Sequence, residues 1–442
     1  MELQFKAAAA TVGCKVNFCD SSAILQTFAD CGYEIVDFDS KADVYIINTC
    51  TVTNTGDKKS RQMISRARAK NPLATVAVVG CYAQLDPAGI SALGADIIMG
   101  TKDRDKLAQY VRGYKKYMGC LDLVSKAGED KEFEPIFVER TFDRARAFLK
   151  IQDGCDNFCA YCIVPYARGR SRSRRPQDII LQAKTFAKNG YQEIVICGIH
   201  IAGFGKDLGG VVTAEKDCSL LRIIKSVCEI DGIRRIRLSS VEPNVITPEF
   251  VEMIKQSDKI CPHFHLPLQT GSDRLLAQMG RRYTTADYSQ SVRLLRENIP
   301  DVSITSDIIV GLPGESDEDF EATLRCVCEM ELSGLHVFPY SVKKGTKAAQ
   351  MDRQTPHHVK TARAKEMREL GDKLSRQFLE KFAGRRMDVL VEQKNKAGKM
   401  EGKTANYINV AYDGDEDDIN QIVGVELVEM EKIGFLGKTI NK

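Results

Sequence analysis

The sequence lacks long apolar runs and has almost no excess of charge of one sign. No stretch approaches the roughly 20 apolar residues that span a bilayer, and the start, MELQFKAAAA, lacks the basic lead and apolar core of a signal peptide. We therefore expect a cytosolic protein with no membrane contact. With 63 Lys and Arg against 60 Asp and Glu, the net charge is +3, which excludes a histone-like protein and an acidic disordered one.

The 442 residues indicate an α/β protein of several domains. Residues 1–115 alternate short apolar runs with helical stretches, which predicts a parallel sheet covered by helices. Residues 116–140 mix charges with Gly and Pro, as a linker does. Residues 141–372 repeat the strand–helix alternation, which predicts a partial (βα)6 TIM-like barrel with its active site at the carboxyl ends of the strands. The apolar runs of this barrel are 147–152, 193–197, 235–239, 263–266, 303–310 and 335–339. In residues 373–442, short runs divided by Gly and Asp predict a small antiparallel β-barrel.

Cysteine is abundant, with 15 residues. A reducing cytosol excludes a disulfide framework, so metal ligands and small core residues remain. Cys155, Cys159 and Cys162, the barrel triad, form C-x3-C-x2-C directly after the first barrel strand. This spacing lets one tight loop place three thiolates around a single cluster, whereas structural zinc sites use two separate cysteine pairs. The loop therefore favours an iron–sulfur cluster with one open iron, and a zinc loop is the alternative.

Cys14, Cys50 and Cys81, the N-terminal triad, each follow a predicted strand of the first domain. Because parallel strands end at one edge of a sheet, the three residues can meet although they are far apart in sequence. A second cluster fits this placement. Buried structural cysteines fit it as well, and from position alone they are the simpler interpretation.

The remaining nine cysteines lack ligand-like spacing, and we interpret them as small core residues. Cys326 and Cys328 lie two apart on a predicted helix and so on different faces. The six histidines show no metal pattern either. The rest of this cysteine set comprises Cys19, Cys31, Cys120, Cys197, Cys218, Cys228 and Cys261.

The cysteine loop and three later motifs together resemble radical S-adenosylmethionine enzymes. These motifs are RLSSVEP at Arg237–Pro243, HLPLQTGS at His265–Ser272 and DIIVGLPGE at Asp307–Glu315. The N-terminal motifs TVGCKVN, NTC and GCYAQ, with the C-terminal β-barrel, extend the resemblance to the methylthiotransferase family over nearly the whole chain.

This resemblance implies two [4Fe-4S] clusters, one on each triad, and S-adenosylmethionine as both methyl donor and radical source. In that superfamily S-adenosylmethionine chelates the open iron of the barrel cluster. One electron from the cluster then cleaves S-adenosylmethionine to methionine and a 5′-deoxyadenosyl radical. The N-terminal cluster would present sulfur for methylation and insertion into a C–H bond. The candidate cofactor contacts that the resemblance implies are Ser239, Glu242, Gln269, Gly311 and Leu312. At Cys197–Gly198 the chain departs from the glycine-rich strand end that many of these enzymes carry.

Positive charge is concentrated in two stretches, 58–70 and 141–175. The second stretch follows the barrel triad and predicts an RNA-binding patch, with a solvated arginine-rich loop as the alternative. Its arginines are Arg168, Arg170, Arg172, Arg174 and Arg175. The terminal barrel resembles the RNA-binding TRAM module. Residues 377–442 hold ten basic and twelve acidic residues, so only a one-sided basic face, or Tyr407 and Phe435 used for stacking, would support RNA contact there.

Two segments resemble the family branch that converts N6-threonylcarbamoyladenosine at position 37 of tRNA to its 2-methylthio form. They are GCKVN at Gly13–Asn17 and GIHIAGFGKDL at Gly198–Leu208, and within them Lys15 and His200 are the candidate residues for substrate choice. Adenine C2 has no acidic proton, so acid–base residues alone would not suffice for this reaction. The resemblance implies the tRNA anticodon loop, an electron donor such as flavodoxin or ferredoxin, and an unidentified sulfur donor as partners. The alternatives are isopentenyladenosine-37, an aspartate of a small-subunit ribosomal protein, or an RNA-binding protein with structural clusters.

Overall fold

The structure, a computed structural model, describes residues 5–128, 132–134, 137–141, 145–208 and 219–440. Cys218 and parts of the expected linker lie outside these residues. The first domain is a parallel sheet in the order β2-β1-β3-β4-β5-β6. Its strands are β1 (Lys6–Thr11), β2 (Glu34–Ile35), β3 (Val44–Thr49), β4 (Thr75–Gly80), β5 (Ile97–Ile98) and β6 (Leu121–Asp122). Its helices are α1 (Lys15–Asp30), α2 (Asn54–Lys70), α3 (Cys81–Leu85), α4 (Pro87–Ala92) and α5 (Leu107–Gly113).

Strands β3 and β4 lie at the centre of this sheet. VYIINT and TVAVVG are apolar along most of their length and are buried almost throughout, because helices cover both faces of a parallel sheet. The predicted parallel α/β domain is thus confirmed. The sheet continues to Leu121–Asp122, inside the segment that the sequence indicated as a linker.

The second domain is the expected partial barrel, and every predicted apolar run of residues 141–372 is a strand. Strands β10-β9-β7-β8 and β11-β12-β13 pair in these orders, and a parallel bridge from Ile236 to Ile260 joins the two groups. The strands are β7 (Arg146–Asp153), β8 (Arg172–Ser173), β9 (Glu193–Gly198), β10 (Arg235–Leu238), β11 (His263–His265), β12 (Ser303–Val310) and β13 (Gly334–Pro339). The helices are α6 (Val164–Arg168), α7 (Pro176–Lys188), α8 (Leu220–Cys228), α9 (Pro248–Lys255), α10 (Asp273–Gln278), α11 (Thr285–Asn298) and α12 (Asp317–Glu329).

The inner face of this open barrel is partly covered by helix α1 of the first domain. Alternate residues of β7, such as Leu149, join the apolar core under the outer helices, whereas Phe148 faces α1. The Sγ atom of Cys19 lies 3.3 Å from that of Cys197 on β9, and the ring of Phe18 stacks on Phe148. The two domains therefore share a packed interface that places the start of α1 beside the barrel.

Helix α13 (His357–Glu380) leads into a closed β-barrel in the order β14-β15-β16-β18-β17. Its neighbouring strands pair antiparallel except that β16 and β18 pair in parallel and close the barrel. The strands are β14 (Arg386–Lys394), β15 (Met400–Thr404), β16 (Asn409–Tyr412), β17 (Ile422–Glu431) and β18 (Gly434–Thr439). Within the described residues no helix is long and apolar enough to cross a bilayer.

The turn between β15 and β16 docks against the amino-terminal ends of the central strands. There Tyr407 stacks on His263 with ring centroids 4.4 Å apart, and the Arg237 guanidinium lies 4.7 Å from the Tyr407 ring. Phe435 is 1% exposed in the core of the small barrel. The suggestion that Tyr407 and Phe435 stack on RNA is therefore wrong, because domain docking and core packing occupy both rings.

Candidate active site

The barrel triad lies on the loop between β7 and α6, at the carboxyl end of the strand. Gly154 makes this loop possible: its φ is +71°, and a Cβ here would lie 1.9 Å from the carbonyl oxygen of Arg170. Two N–H groups point at the thiols. The backbone N–H of Asn157 donates to Cys155 Sγ at 3.4 Å, and Arg281 Nη1 donates to Cys159 Sγ at 3.3 Å.

Burial raises the pKa of the Cys155 thiol to about 11 and that of Cys162 to about 12. As free thiols these groups would remain neutral, so a bound metal would have to supply the positive charge that favours thiolates. N–H donors to the sulfurs are the contacts that tune iron–sulfur clusters. Three thiols on one loop with such donors therefore fit a cluster.

The N-terminal triad lies at one edge of the first sheet, where β1, β3 and β4 end side by side. A Cβ added to Gly13 would lie 2.8 Å from Cys50 Cβ, so the β1 loop touches the residue that follows β3. Cys81 is the first residue of α3, and Cys14 precedes α1. Burial is the largest contribution that raises the pKa of Cys14, although this residue still has access to solvent. The sheet edge brings the three predicted residues together.

The short helix α6 connects the two triads. It begins two residues after Cys162 and ends at Arg168, which donates from Nε to Cys81 Sγ at 3.3 Å and from Nη2 to Asn17 Oδ1 at 2.6 Å. Five residues of α-helix extend about 7.5 Å. The two cysteine sets therefore lie on either side of one helix.

This placement corrects part of the predicted RNA patch. Arg168 is 1% exposed, and Arg172 and Arg174 are each 7% exposed, so none of the three reaches RNA in solvent. They are buried because the segment returns beneath the first domain and pairs through β8 with β7. Arg170 and Arg175 are exposed, and RNA contact by these two residues stays a prediction.

Arg168 belongs to a buried charge cluster between the domains. Its guanidinium bonds Asp20 at 2.9 Å and Asp153 at 3.0 Å, and Lys150 bonds Asp20 at 2.7 Å. Arg104 forms an ion pair with Asp20, with its Nη1 2.5 Å from Asp20 Oδ2. Burial alone would raise the pKa of Asp20, but the charges of Arg104, Lys150 and Arg168 outweigh it and lower that pKa to about 2.

Replacement of Asp20 by asparagine should destabilise the protein by about 3–5 kcal/mol, because it leaves three buried cations short of one anion. Urea unfolding of the purified chain measures this change. Asp30→Asn on the exposed end of the same helix is the matched control and should change stability by less than about 0.5 kcal/mol. Equal stability of the two variants would show that the cluster does not need the charge of Asp20.

A cavity of about 330 Å³ opens in front of the barrel triad. We call this cavity the chamber. All three barrel cysteines line it, and Val52 and Thr53, which follow Cys50, line it from the first domain. Its size falls in the range of small-molecule sites. Both domains therefore contribute to its walls.

The predicted cofactor contacts divide into two groups. Glu242 and Gln269 line the chamber, and Gln269 has a φ of +71°. The buried Ser239 hydroxyl has no hydrogen-bond partner among the described residues, whereas Leu312 is wholly buried in an apolar cluster. A Cβ on Gly311 would lie 2.3 Å from Lys360 Cγ, so Gly311 serves close packing against α13.

Lys15 and His200 occupy different surroundings. His200 lines the chamber and bonds Glu242 Oε2 at 2.9 Å. Lys15 lies on the same face of α1 as Cys19, near Arg237 and Tyr407, and burial lowers its pKa. Of the two proposed selectivity positions, only His200 is thus placed at the chamber wall.

Sequence reasoning missed Arg281 and a group formed by His265, Asp307 and His336. Arg281 bonds Glu242 Oε1 at 2.8 Å in addition to Cys159. The ligand-type atoms of His265, Asp307 and His336 lie within 4.8 Å of one another. They are distant in sequence and meet only because β11, β12 and β13 are neighbours, so the histidine spacing carried no signal.

Comparisons with known proteins identify the family of the first two domains and of the whole chain. Residues 6–100 match the model of Uncharacterized protein family UPF0004, and residues 149–327 match the Radical SAM superfamily. Among solved structures, the radical S-adenosylmethionine methyltransferase TsrM from Kitasatospora setae has a TM-score of 0.54 at 14% identity, covering 76% of this chain and 73% of that one. This likeness shows the fold alone.

Curated relatives match almost the full length. A Bacillus subtilis (strain 168) protein named threonylcarbamoyladenosine tRNA methylthiotransferase MtaB is 42% identical over 95% of this chain and 93% of its own. The Aquifex aeolicus (strain VF5) protein of the same name is 37% identical over 92% and 97%. A Clostridium tetani (strain Massachusetts / E88) tRNA-2-methylthio-N(6)-dimethylallyladenosine synthase is 36% identical over 97% and 95%. The chain therefore belongs to the methylthiotransferase family of radical S-adenosylmethionine enzymes.

Proposed function

We propose that this enzyme converts N6-threonylcarbamoyladenosine at position 37 of tRNA to its 2-methylthio derivative. The observation that carries the proposal is the 42% identity, over 95% of the chain, to a relative named for this substrate. The chamber supports it, because the barrel triad and the residues that follow Cys50 both line it, and sulfur insertion needs a sulfur source beside a radical source. We further propose that the enzyme works in the cytoplasm.

The barrel triad would hold one [4Fe-4S] cluster with S-adenosylmethionine, and the N-terminal triad would hold the second. Enzymes of this family use both groups. When bound, they supply the one-electron chemistry that activates an unreactive C–H bond and the sulfur and methyl group that replace the hydrogen. An electron donor such as flavodoxin or ferredoxin and a sulfur donor complete the proposal.

The protein's own part is to fix the geometry of the chamber. Arg281 joins Cys159 to Glu242, and Glu242 also accepts from Asn157 at 3.1 Å. Burial opposes the ionised form of Glu242, but hydrogen bonding to His200 and the charge of Arg281 outweigh it, so its pKa is lowered. A charged Glu242 therefore ties Asn157 of the cysteine loop to His200 after β9 and to Arg281 after α10.

On the N-terminal side, Arg168 would place a cation against the second cluster through Cys81. Ile163 and Phe338 give the chamber wall apolar surface that excludes water. Beside the chamber mouth, Thr53 caps α2, which exposes Lys58 and Lys59. We propose that these lysines hold the tRNA backbone.

Nucleoside mass spectrometry of tRNA from a deletion strain tests the substrate. We expect 2-methylthio-N6-threonylcarbamoyladenosine to disappear, its unmethylthiolated precursor to accumulate, and the intact gene to restore the product. The matched control is complementation with the Cys155→Ala gene, which should restore nothing. Persistence of the methylthio nucleoside in the deletion strain would reject the assignment.

The 36% identity to a relative named for dimethylallyladenosine favours one second candidate substrate. The same spectra resolve it, because loss of the methylthio isopentenyl nucleoside alone would assign that reaction instead. Loss of neither nucleoside would leave a ribosomal-protein aspartate as the target to examine. It would also reject action on tRNA at position 37.

A further inference from the structure

Three polar side chains form a connected array on the inner face of the central barrel. Asp307 Oδ1 lies 3.2 Å from His265 Nε2 and 3.3 Å from His336 Nδ1, and the two imidazole rings stack 5.2 Å apart. Asp307 and His336 are register partners on β12 and β13. The neighbouring Ile308 points the other way, into the core. The array is therefore set by strand pairing and not by a flexible loop.

The array borders the chamber. Asp307 lines it together with Gln269, Ile309 and Phe338. The side chain of His336 is 63% exposed and that of Asp307 is 27% exposed, although both lie on inner-face strand positions. Open space in front of them is the physical reason, because a filled barrel would cover these side chains.

Two polar atoms of the array have no partner among the described residues: His336 Nε2 and Asp307 Oδ2. Both ring nitrogens of His265 already have partners, because its Nε2 faces Asp307 and its Nδ1 lies 2.9 Å from the Thr305 hydroxyl. Burial alone would raise the pKa of Asp307, but hydrogen bonding from His265 and His336 outweighs it and lowers that pKa. A charged acceptor on Asp307 therefore faces the chamber, and the exposed imidazole of His336 lies beside it on the neighbouring strand.

On the other polar wall of the chamber, the polar side chains bond one another. Glu242 is bonded by His200, Arg281 and Asn157, and Arg281 also reaches Cys159. That wall supports the cysteine loop. The array offers polar atoms to a substrate on a different side, from Asp307, which lines the chamber on β12, and from the exposed His336 beside it on β13.

We propose that His336 and Asp307 form the subsite for the polar substituent on N6 of the target nucleoside. This inference rests on the proposed function. A threonylcarbamoyl group carries N–H donors, a hydroxyl and a carboxylate. Asp307 Oδ2 accepts from a carbamoyl N–H, and Nε2 of His336, whose Nδ1 faces Asp307, accepts from the threonyl hydroxyl. An isopentenyl group offers no polar atom and would leave both protein atoms unpaired when water is displaced. The array is thus the element that selects the polar substrate.

Binding of anticodon stem-loops to the anaerobically reconstituted enzyme tests the subsite. The loops carry N6-threonylcarbamoyladenosine, unmodified adenosine or isopentenyladenosine, and fluorescence anisotropy gives each affinity. We expect His336→Phe to lower the affinity for the threonylcarbamoyl stem-loop about 10–100-fold, which is the effect of one or two lost hydrogen bonds. The affinity for the unmodified stem-loop should not change. The value of kcat/KM for the threonylcarbamoyl loop should fall with the affinity.

His358→Phe makes the same exchange at an exposed position of α13 and is the matched control. His336→Gln is the second variant, which retains a side-chain donor and acceptor and should recover part of the lost affinity. Unchanged threonylcarbamoyl affinity in His336→Phe would overturn the subsite. An equal loss of affinity for the threonylcarbamoyl and the unmodified stem-loops would also overturn the subsite and would indicate that His336 has a structural role.

The same three side chains are a ligand set suited to a divalent metal. Metal analysis of the wild type and of His336→Phe separates the two interpretations. One zinc or manganese ion per chain that is lost in the variant would replace the nucleoside subsite by a metal site. If the wild-type enzyme itself leaves the threonylcarbamoyl loop unmethylthiolated, the proposed function fails first, independently of any His336 variant.

Discussion

Alanine at all three positions of the barrel triad is expected to remove about half of the roughly eight iron atoms of the reconstituted protein and to abolish cleavage of S-adenosylmethionine. A four-iron cluster held by three thiolates on one short loop has no replacement ligands in that loop. Arg281 would remain, but a cation cannot hold iron. Iron and sulfide analysis after anaerobic reconstitution, with 5′-deoxyadenosine measured under a strong reductant, gives both results.

A triple alanine variant at Cys31, Cys120 and Cys328 is the control for loss of three thiols. These residues are at least partly exposed and lie outside the chamber, so iron content and cofactor cleavage should match the wild type. Unchanged iron in the barrel variant would reject the assignment of the triad.

Alanine at Cys14, Cys50 and Cys81 should separate two activities that the barrel variant loses together, cleavage of S-adenosylmethionine and formation of the methylthio product. About half of the iron is again lost, but cleavage of S-adenosylmethionine continues because the barrel triad is intact. No methylthio product forms, since the sulfur would be held on the N-terminal side. Product analysis by mass spectrometry beside the 5′-deoxyadenosine measurement distinguishes the two variants.

Cys19→Ala is a useful control for this second experiment. Cys19 is buried on α1, 3.3 Å from Cys197, and contributes packing without lying at the sheet edge. Its replacement should lower stability and leave the iron content unchanged. Methylthio product from the Cys14, Cys50 and Cys81 variant would contradict the proposed sulfur site.

Periodicity in the sequence was enough to predict the main architecture. The strands at 303–310 and 193–197 are apolar runs of strand length between helical segments, and helix α12 begins at a capping box of Ser316 and Asp319. Such signals are local. Two-residue strands such as β6 and β8 carry no periodicity, because their pairing is decided by distant partners.

The meeting of the three N-terminal cysteines was predictable from the topology of a parallel sheet. Parallel strands end at one edge, so residues following β1, β3 and β4 meet there. The fate of Arg168 was not predictable, because its partners Asp20 and Asp153 come from separate segments. A run of arginines indicates an exposed patch only when no buried carboxylates elsewhere in the fold pair with these arginines.

Domain docking was also hidden from the sequence. Nothing local distinguishes Tyr407 from a surface aromatic residue, yet it fills the space against His263 and Arg237. The array of His265, Asp307 and His336 depends likewise on strand order. Long-range register determines these contacts, and a single sequence does not reveal it.

The central claim is that two clusters, one on each triad, face a common chamber. Anomalous diffraction at the iron edge, from crystals of the anaerobically reconstituted protein, tests it most directly. The account predicts two separate iron sites per chain, one at each triad, both bordering the cavity lined by Val52 and Thr53. Iron at a single triad, or an N-terminal iron site that opens away from this cavity, would contradict it.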